Sequence, residues 1–299
     1  MNGHKSAVHR AILCMNEDGY PAAAAGTIRL GELTVRRMGF GAMRVTTDGS
    51  DIWGPPADPR TARLLLHRAL ELGINFFDTA DSYGPHASES FIAETLYPYP
   101  EGLVIGTKGG LVRPGKRHWD PDGRPEHLRR ALDGSLKRLK LERIHLYQLH
   151  APDPQVPFAD SVGALAEAQR AGKILHLGLS NVSVKELEAA RRIAPIVSVQ
   201  NQYNLQTRKS EDVLKACERL GVAFIPWYPL GDGAALESRG VKQLARRLGL
   251  PPAQVALAWL LAHSPVMLPI PGTASIAHLE ENTAAATVKL APEELAALG

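Results

Sequence analysis

Short, continuously apolar runs alternate with amphipathic stretches along most of the chain. Runs of four to eight apolar residues are what a strand buried on both faces leaves in a sequence. Eight segments fit: Arg37–Gly41, Ile74–Asp78, Leu103–Lys108, His145–His150, Ile174–Leu179, Ile196–Gln200, Val222–Trp227 and Val266–Ile270. Between and after them, apolar positions recur at helical spacing behind helix start signals. The predicted helices are Asp58–Leu72, Ser88–Leu96, Pro125–Leu139, Asp160–Ala171, Val184–Arg192, Ser210–Leu220, Pro252–Ala262 and Ile276–Ala286. Strict alternation of this kind predicts a parallel sheet, and eight units in about 260 residues predict a closed (β/α)8 TIM barrel. The rival, an open doubly wound sheet, carries a GxGxxG turn. The nearest candidate, Gly39-Phe40-Gly41-Ala42-Met43-Arg44, lacks the third glycine. Ahead of the first strand, Thr27–Val35 reads as a small β-hairpin, turning at Leu30-Gly31-Glu32 and plugging the barrel bottom.

No linker divides the chain, so residues 27–299 are expected to form one domain behind a flexible N-terminal extension, residues 1–26. The apolar stretch AILCM in that extension is shorter than the roughly 7–15 residues of a secretory leader. Met15 is an alternative start, and a short arm packed on the barrel bottom or on a neighbouring subunit is the alternative role. With 44% hydrophobic and 22% charged residues among 299, disorder and collagen-like repeats are excluded. No apolar run reaches the roughly 18–20 residues of a membrane helix. A net charge of +3 without a long basic block is no nucleic-acid footprint. Cys14 and Cys217 lie far apart, with no CxxC and no Cys/His ligand spacing, as in a reduced cytoplasmic protein without disulfides or a metal. A monomer is the default expectation.

Candidate chemistry gathers at the strand ends, which in such a barrel face the active site. The second strand ends in Asp78, the third in Lys108 and the fourth in His150, and Tyr83 follows on the loop after Asp78. An ammonium beside a phenol stabilises the phenolate and lowers its pKa, while a carboxylate holds the ammonium in place. Asp78, Lys108 and Tyr83 would form such a relay, with the phenol giving its proton to an oxygen that gains negative charge. A neutral His150 would orient that oxygen. The set suits carbonyl reduction. No nucleophilic Ser or Cys motif and no HxH or HExxH pair is present, which disfavours hydrolysis.

These residues stand in blocks that resemble the aldo-keto reductase family. The blocks are GINFFDTADSYG (Gly73–Gly84), SES (Ser88–Ser90), VIGTKGG (Val104–Gly110), LYQLHAPDP (Leu146–Pro154) and GLSN (Gly178–Asn181). VQNQYN (Val199–Asn204), PWYPLG (Pro226–Gly231), PAQVALAWLL (Pro252–Leu261) and PIPGTASIAHLEEN (Pro269–Asn282) complete the ordered set. The resemblance implies the barrel fold and an NADPH-dependent reduction of a small-molecule aldehyde or ketone. Tyr83 would be the general acid, Lys108 and Asp78 its tuning pair, and His150 the carbonyl-orienting group. Ser180, Asn181 and Gln200 match residues that bind the nicotinamide carboxamide. Trp227 stands where the family usually stacks a tyrosine on the nicotinamide ring. Gly41, Ala42 and Met43 match a loop beside the cofactor, and Leu230, Gly231 and Gly233 match its pyrophosphate contacts.

Gly272, Thr273, Ser275, His278, Glu281 and Asn282 match the segment around the adenosine end. The sequence departs from the best-known members there: they carry Lys at the position of Gly272 and Arg at that of His278, and no Lys or Arg occurs between Gly272 and Thr287. NADPH is expected by resemblance, with NADH also accepted.

Loops set substrate choice. The chain ends eight residues after Ala291 and Ala151–Pro157 is short, which suggests an open site for a bulky or cyclic carbonyl compound. Trp53, in Arg44–Ala57, and Trp119, in Gly109–Arg124, are candidate substrate contacts. The second loop also carries Arg113, Lys116, Arg117 and His118, either a solvated basic turn or a site for an anionic group. Two other functions share this fold: a cofactor-binding regulatory protein akin to channel β subunits, and a Schiff-base isomerase or aldolase using Lys108.

Overall fold

The computed structural model describes residues 19–46 and 51–298. Its first two strands form a hairpin, β1 (Thr27–Leu30) against β2 (Leu33–Arg36), with Leu30 paired to Leu33 across the turn. Gly31 makes that turn at φ +64, and a Cβ added there would fall 2.1 Å from the His176 ring. Only glycine allows so close an approach. Leu30 and Val35 pack with Phe76, Val104, Leu146 and Ile225 in the barrel interior, so the hairpin is the floor of the barrel.

Above it run seven parallel strands in chain order: β3 (Phe40–Gly41), β4 (Phe76–Asp78), β5 (Val104–Gly109), β8 (Ile144–Leu149), β9 (Ile174–Ser180), β10 (Ile196–Gln202) and β11 (Ala223–Trp227). A two-stranded excursion, β6 (Leu111–Val112) with β7 (Asp120–Pro121), rises from the loop after β5. The eighth expected strand, Val266–Ile270, is an extended segment and not a regular strand. Three backbone hydrogen bonds still let it close the barrel: Phe224 N to Val266 O (2.8 Å), Leu268 N to Phe224 O (2.8 Å) and Gly39 N to Pro269 O (3.0 Å). Pro269 and Pro271 lack the N–H groups a full ladder requires. Arg37 reinforces the seam, its guanidinium donating to the carbonyls of Leu261, Ser264 and Met267.

The helices are α1 (Pro59–Glu71), α2 (Ala87–Leu96), α3 (Pro125–Leu139), α4 (Phe158–Arg170), α5 (Val184–Arg191), α6 (Glu211–Leu220), α7 (Arg239–Leu248), α8 (Pro252–His263), α9 (Ile276–Ala284) and α10 (Pro292–Ala297). Local chemistry starts several of them. Asp58 accepts from the backbone N–H of Arg60 and Thr61 at the head of α1, and Ser183 with Glu186 forms a capping box on α5. Helix α1 buries Ala62, Leu65, Leu66 and Ala69, the one-face spacing of an amphipathic helix.

Strict alternation fails at two places: α10 follows α9 with no strand between them, and α7 precedes α8 between β11 and the closing segment. Helix α7 buries Val241, Leu244 and Ala245, and ends at Gly249 in the left-handed region. Residues 21–25 of the expected flexible extension form a 3-10 turn in contact with the 285–287 turn. Ala22 N donates to Leu72 O there, and Lys289 Nζ donates to Ala24 O. Residues 1–18 lie outside the described part. Among the described residues no helix is long and apolar enough to cross a membrane.

Candidate active site

Six successive strands deliver polar or aromatic side chains to one end of the barrel. Asp78 ends β4, Lys108 lies in β5, His150 follows β8, Ser180 ends β9, Gln200 lies in β10 and Trp227 ends β11. Apart from Lys108 these residues line one cleft of about 940 Å³, and Tyr83 lines it too. That volume is ample for a small-molecule ligand.

Lys108 is fully buried at the base of the cleft. Its Nζ donates to Asp78 Oδ1 at 2.6 Å, to Thr79 O at 2.8 Å and to the Tyr83 hydroxyl at 3.3 Å. The three expected members of the relay are therefore in direct contact. Burial pulls the ammonium's pKa down, but Asp78 and Tyr83 together hold it above the ordinary lysine value. A charged amine is no nucleophile, which removes the support for the Schiff-base alternative.

Tyr83 corrects one expectation. Burial raises the phenol's pKa, the Lys108 ammonium lowers it, and burial wins, so the net shift is upward. The ammonium offsets the desolvation without reversing it. His150 is pushed well below the ordinary histidine value, first by burial and then by the Lys108 charge, so its ring is neutral. Its Nδ1 lies 3.4 Å from Ser82 Oγ, and its ring stands edge-on to Tyr83 at 5.9 Å between centroids.

Asp78 has partners on its other oxygen as well. Oδ2 accepts from Gln200 Nε2 at 2.8 Å and from Gln148 Nε2 at 3.2 Å. Gln148 was not singled out from the sequence. The available signal is its place two residues before His150, because strand residues two apart share a face. Asn181 Nδ2 donates to His150 O and Ser180 Oγ, while its Oδ1 accepts from Trp227 Nε1 at 3.0 Å. Ser180, Asn181, Gln200 and Trp227 thus form one connected layer over the relay.

Farther along the cleft, Gly41 ends β3 and Met43 follows it, while Leu230 and Gly233 come from the loop after β11. Gly272, Thr273, Ser275 and His278 lead into the N-terminus of α9. Gly41 and Gly272 mark a close backbone crossing: a Cβ on Gly41 would meet Ile270 O at 2.6 Å, and one on Gly272 would meet Gly41 O at 2.7 Å. Four expected cofactor residues stand outside the lining. Ala42 and Asn282 are buried beneath it, Glu281 is half-buried on α9, and Gly231 serves its loop at φ +60.

The lining also includes Arg44, Tyr228 and Asp232, none of them singled out from the sequence. Arg44 pairs with Asp232, joining the loops after β3 and β11. Tyr228 and Asp232 both adopt left-handed backbone, at φ +51 and +54, and strain of this kind gathers at ligand-binding turns.

On the substrate side the two tryptophans part company. Trp119 lines the cleft, 6.2 Å from the Tyr83 ring and edge-on to it. Trp53 stands outside the lining, where the Arg113 guanidinium lies 5.3 Å from its ring. In the basic loop, Arg117 and Lys116 both pair with Asp51, and Arg113 donates to loop carbonyls.

The sequence profile of the Aldo/keto reductase family matches residues 37–299. An uncharacterized oxidoreductase of Schizosaccharomyces pombe is 49% identical over 278 residues, spanning 93% of this chain and 90% of that protein. Pyridoxine 4-dehydrogenase of Escherichia coli is 41% identical over 281 residues, spanning 92% of this chain and 98% of that enzyme. Among solved structures, an aldo/keto reductase from Klebsiella pneumoniae in complex with NADP and acetate superposes with a TM-score of 0.77. It is 26% identical and covers 91% of this chain and 93% of its own. With a family profile over most of its length and relatives this similar along nearly their whole chains, the protein belongs to the aldo/keto reductase family.

Proposed function

We propose that this protein uses NADPH to reduce an aldehyde or ketone to the alcohol, with Tyr83 as the general acid. The observation that carries this reading is the buried contact of Lys108 Nζ with both Asp78 and the Tyr83 hydroxyl at the base of the cleft. The residues present fit a dinucleotide. At one end the Trp227 ring lies beside the amide and hydroxyl groups of Asn181, Gln200 and Ser180. At the other, the Thr273 and Ser275 hydroxyls flank the N-terminus of α9, a favourable place for phosphate. When bound, NADPH supplies the hydride that adds to the carbonyl carbon.

The chain's own residues manage the oxygen. Neutral His150 donates a hydrogen bond to it: if Ser82 gives its hydroxyl proton to Nδ1, the ring proton sits on Nε2. As the oxygen turns into an alkoxide it becomes a stronger base than a phenolate, so the Tyr83 proton moves to it even though burial raises the phenol's pKa. The ammonium of Lys108, held by Asp78, then stabilises the phenolate left behind.

Pyridoxal is the first substrate to try, because the relative of 41% identity is a pyridoxine 4-dehydrogenase. Loss of NADPH absorbance with pyridoxal, benzaldehyde, methylglyoxal and a cyclic ketone tests the proposal. Turnover with at least one of them is expected. NADPH bound tightly without turnover of any would favour the regulatory alternative.

A further inference from the structure

Arg113 joins two loops that arise from different strands. It sits one residue beyond β6 and is nine-tenths buried. Its guanidinium donates to the carbonyls of Ile52 (3.3 Å) and Asp51 (3.2 Å) in the loop after β3, and to Lys116 O in its own loop. The same group lies over two indoles, 3.8 Å from the Trp119 ring centroid and 5.3 Å from that of Trp53. The neighbouring Gly54 N donates to Gly84 O at 2.8 Å, which ties the first loop to the turn that carries Tyr83.

The consequence falls on Trp119. An indole on a loop has several rotamers within reach, and each one lost on ligand binding weakens affinity. A planar cation 3.8 Å from the indole centroid, with Nη1 and Nη2 committed to carbonyls on both loops, removes that freedom in advance. Lysine, a point charge on a flexible stem, has no plane to stack and fewer donors. The guanidinium's own hydrogen bonds go to protein carbonyls, so its effect on a ligand passes through Trp119.

We propose that Arg113 is a positioning residue: it fixes Trp119 as a rigid wall of the carbonyl pocket, and that wall makes the site prefer flat aromatic carbonyl compounds to small aliphatic ones. The inference rests on the placement of Trp119 against the substrate in the proposed function. A flat ring gains contact area and favourable ring geometry from a preset indole, whereas a small dicarbonyl touches little of it.

A double-mutant cycle on the enzyme–NADP complex, which does not turn over an aldehyde, tests this apart from the reductase reading. Calorimetric dissociation constants for benzaldehyde and methylglyoxal are measured on the wild type, R113M, R113K, W119A and R113M/W119A, with NADPH affinity as the control for folding. R113M is expected to weaken benzaldehyde binding about tenfold, between the scales of an exposed and a desolvated cation–π contact, and methylglyoxal binding less than about twofold. R113K should behave like R113M, and the double variant should bind benzaldehyde no more weakly than W119A. Additive losses in the double variant would overturn the inference, as would equal losses for both aldehydes and NADPH. Full affinity in W119A would instead overturn the placement of Trp119 itself. Turnover by the wild type is a separate measurement, and its failure would strike the proposed function alone.

Discussion

Asp78→Asn tests how the buried ion pair serves both stability and chemistry. Lys108 Nζ and Asp78 Oδ1 are 2.6 Å apart, and both side chains are almost wholly out of solvent. Removing one partner of such a pair leaves an uncompensated buried charge, at about 3–5 kcal/mol. Thr79 O and the Tyr83 hydroxyl still accept from the ammonium, which puts the loss for D78N near the lower figure, about 3 kcal/mol. For a chain of this size that lowers the melting temperature by roughly 5 °C. Lys108→Met is the mirror case, leaving the carboxylate with Gln148 and Gln200 alone. The double variant D78N/K108M holds no buried charge at this point, so its melting temperature should lie above that of either single variant. Activity should not follow. All three variants lack the ammonium or its counter-ion, and kcat for aldehyde reduction should be about 100-fold or more below wild type in each. Thermal melts and NADPH-consumption assays on the four proteins complete the cycle. A double variant whose melting-point loss is the sum of the two single losses would refute the reasoning.

Two further outcomes are expected. In the ligand-free enzyme Tyr83 should ionise later than an ordinary exposed tyrosine, because burial outweighs Lys108; the phenolate absorbance missing from Y83F relative to wild type checks it, and a Tyr83 signal that appears before that of the exposed tyrosines would contradict it. Arg44, the one Lys or Arg lining the cleft among the described residues, should meet a cofactor phosphate in place of Asp232. Arg44→Ala should therefore weaken NADPH binding about tenfold and flatten its salt dependence, as read by fluorescence titration.

The barrel was legible because apolar runs and helix caps repeat at a regular period. Asp58 and Ser183 announce their helices in the sequence and cap them in the structure. The relay was legible for a related reason: strand ends in a barrel point to one mouth, so Asp78, Lys108 and His150 share a location once the strands are placed. Helix α7 was hidden because its apolar face is only Val241, Leu244 and Ala245 among arginines, although Gly249 followed by Pro251 was a stop signal. The closing segment Val266–Ile270 read as a strand from its apolar content, and its prolines decided otherwise. The direction of the Tyr83 shift could not be read from residue types. It is a balance between burial and one charge, and burial exists only in three dimensions. Arg113 read either as part of a solvated basic turn or as part of an anion site, because a sequence does not show that Trp53 and Trp119 flank it.

The most direct test of the central claim is a comparison of wild type and Tyr83→Phe in NADPH consumption with benzaldehyde and pyridoxal, paired with NADPH affinity by fluorescence titration. The account predicts turnover by the wild type, none detectable by Y83F, and NADPH dissociation constants within a few-fold of each other. Comparable turnover by Y83F would show that the proton comes from another group.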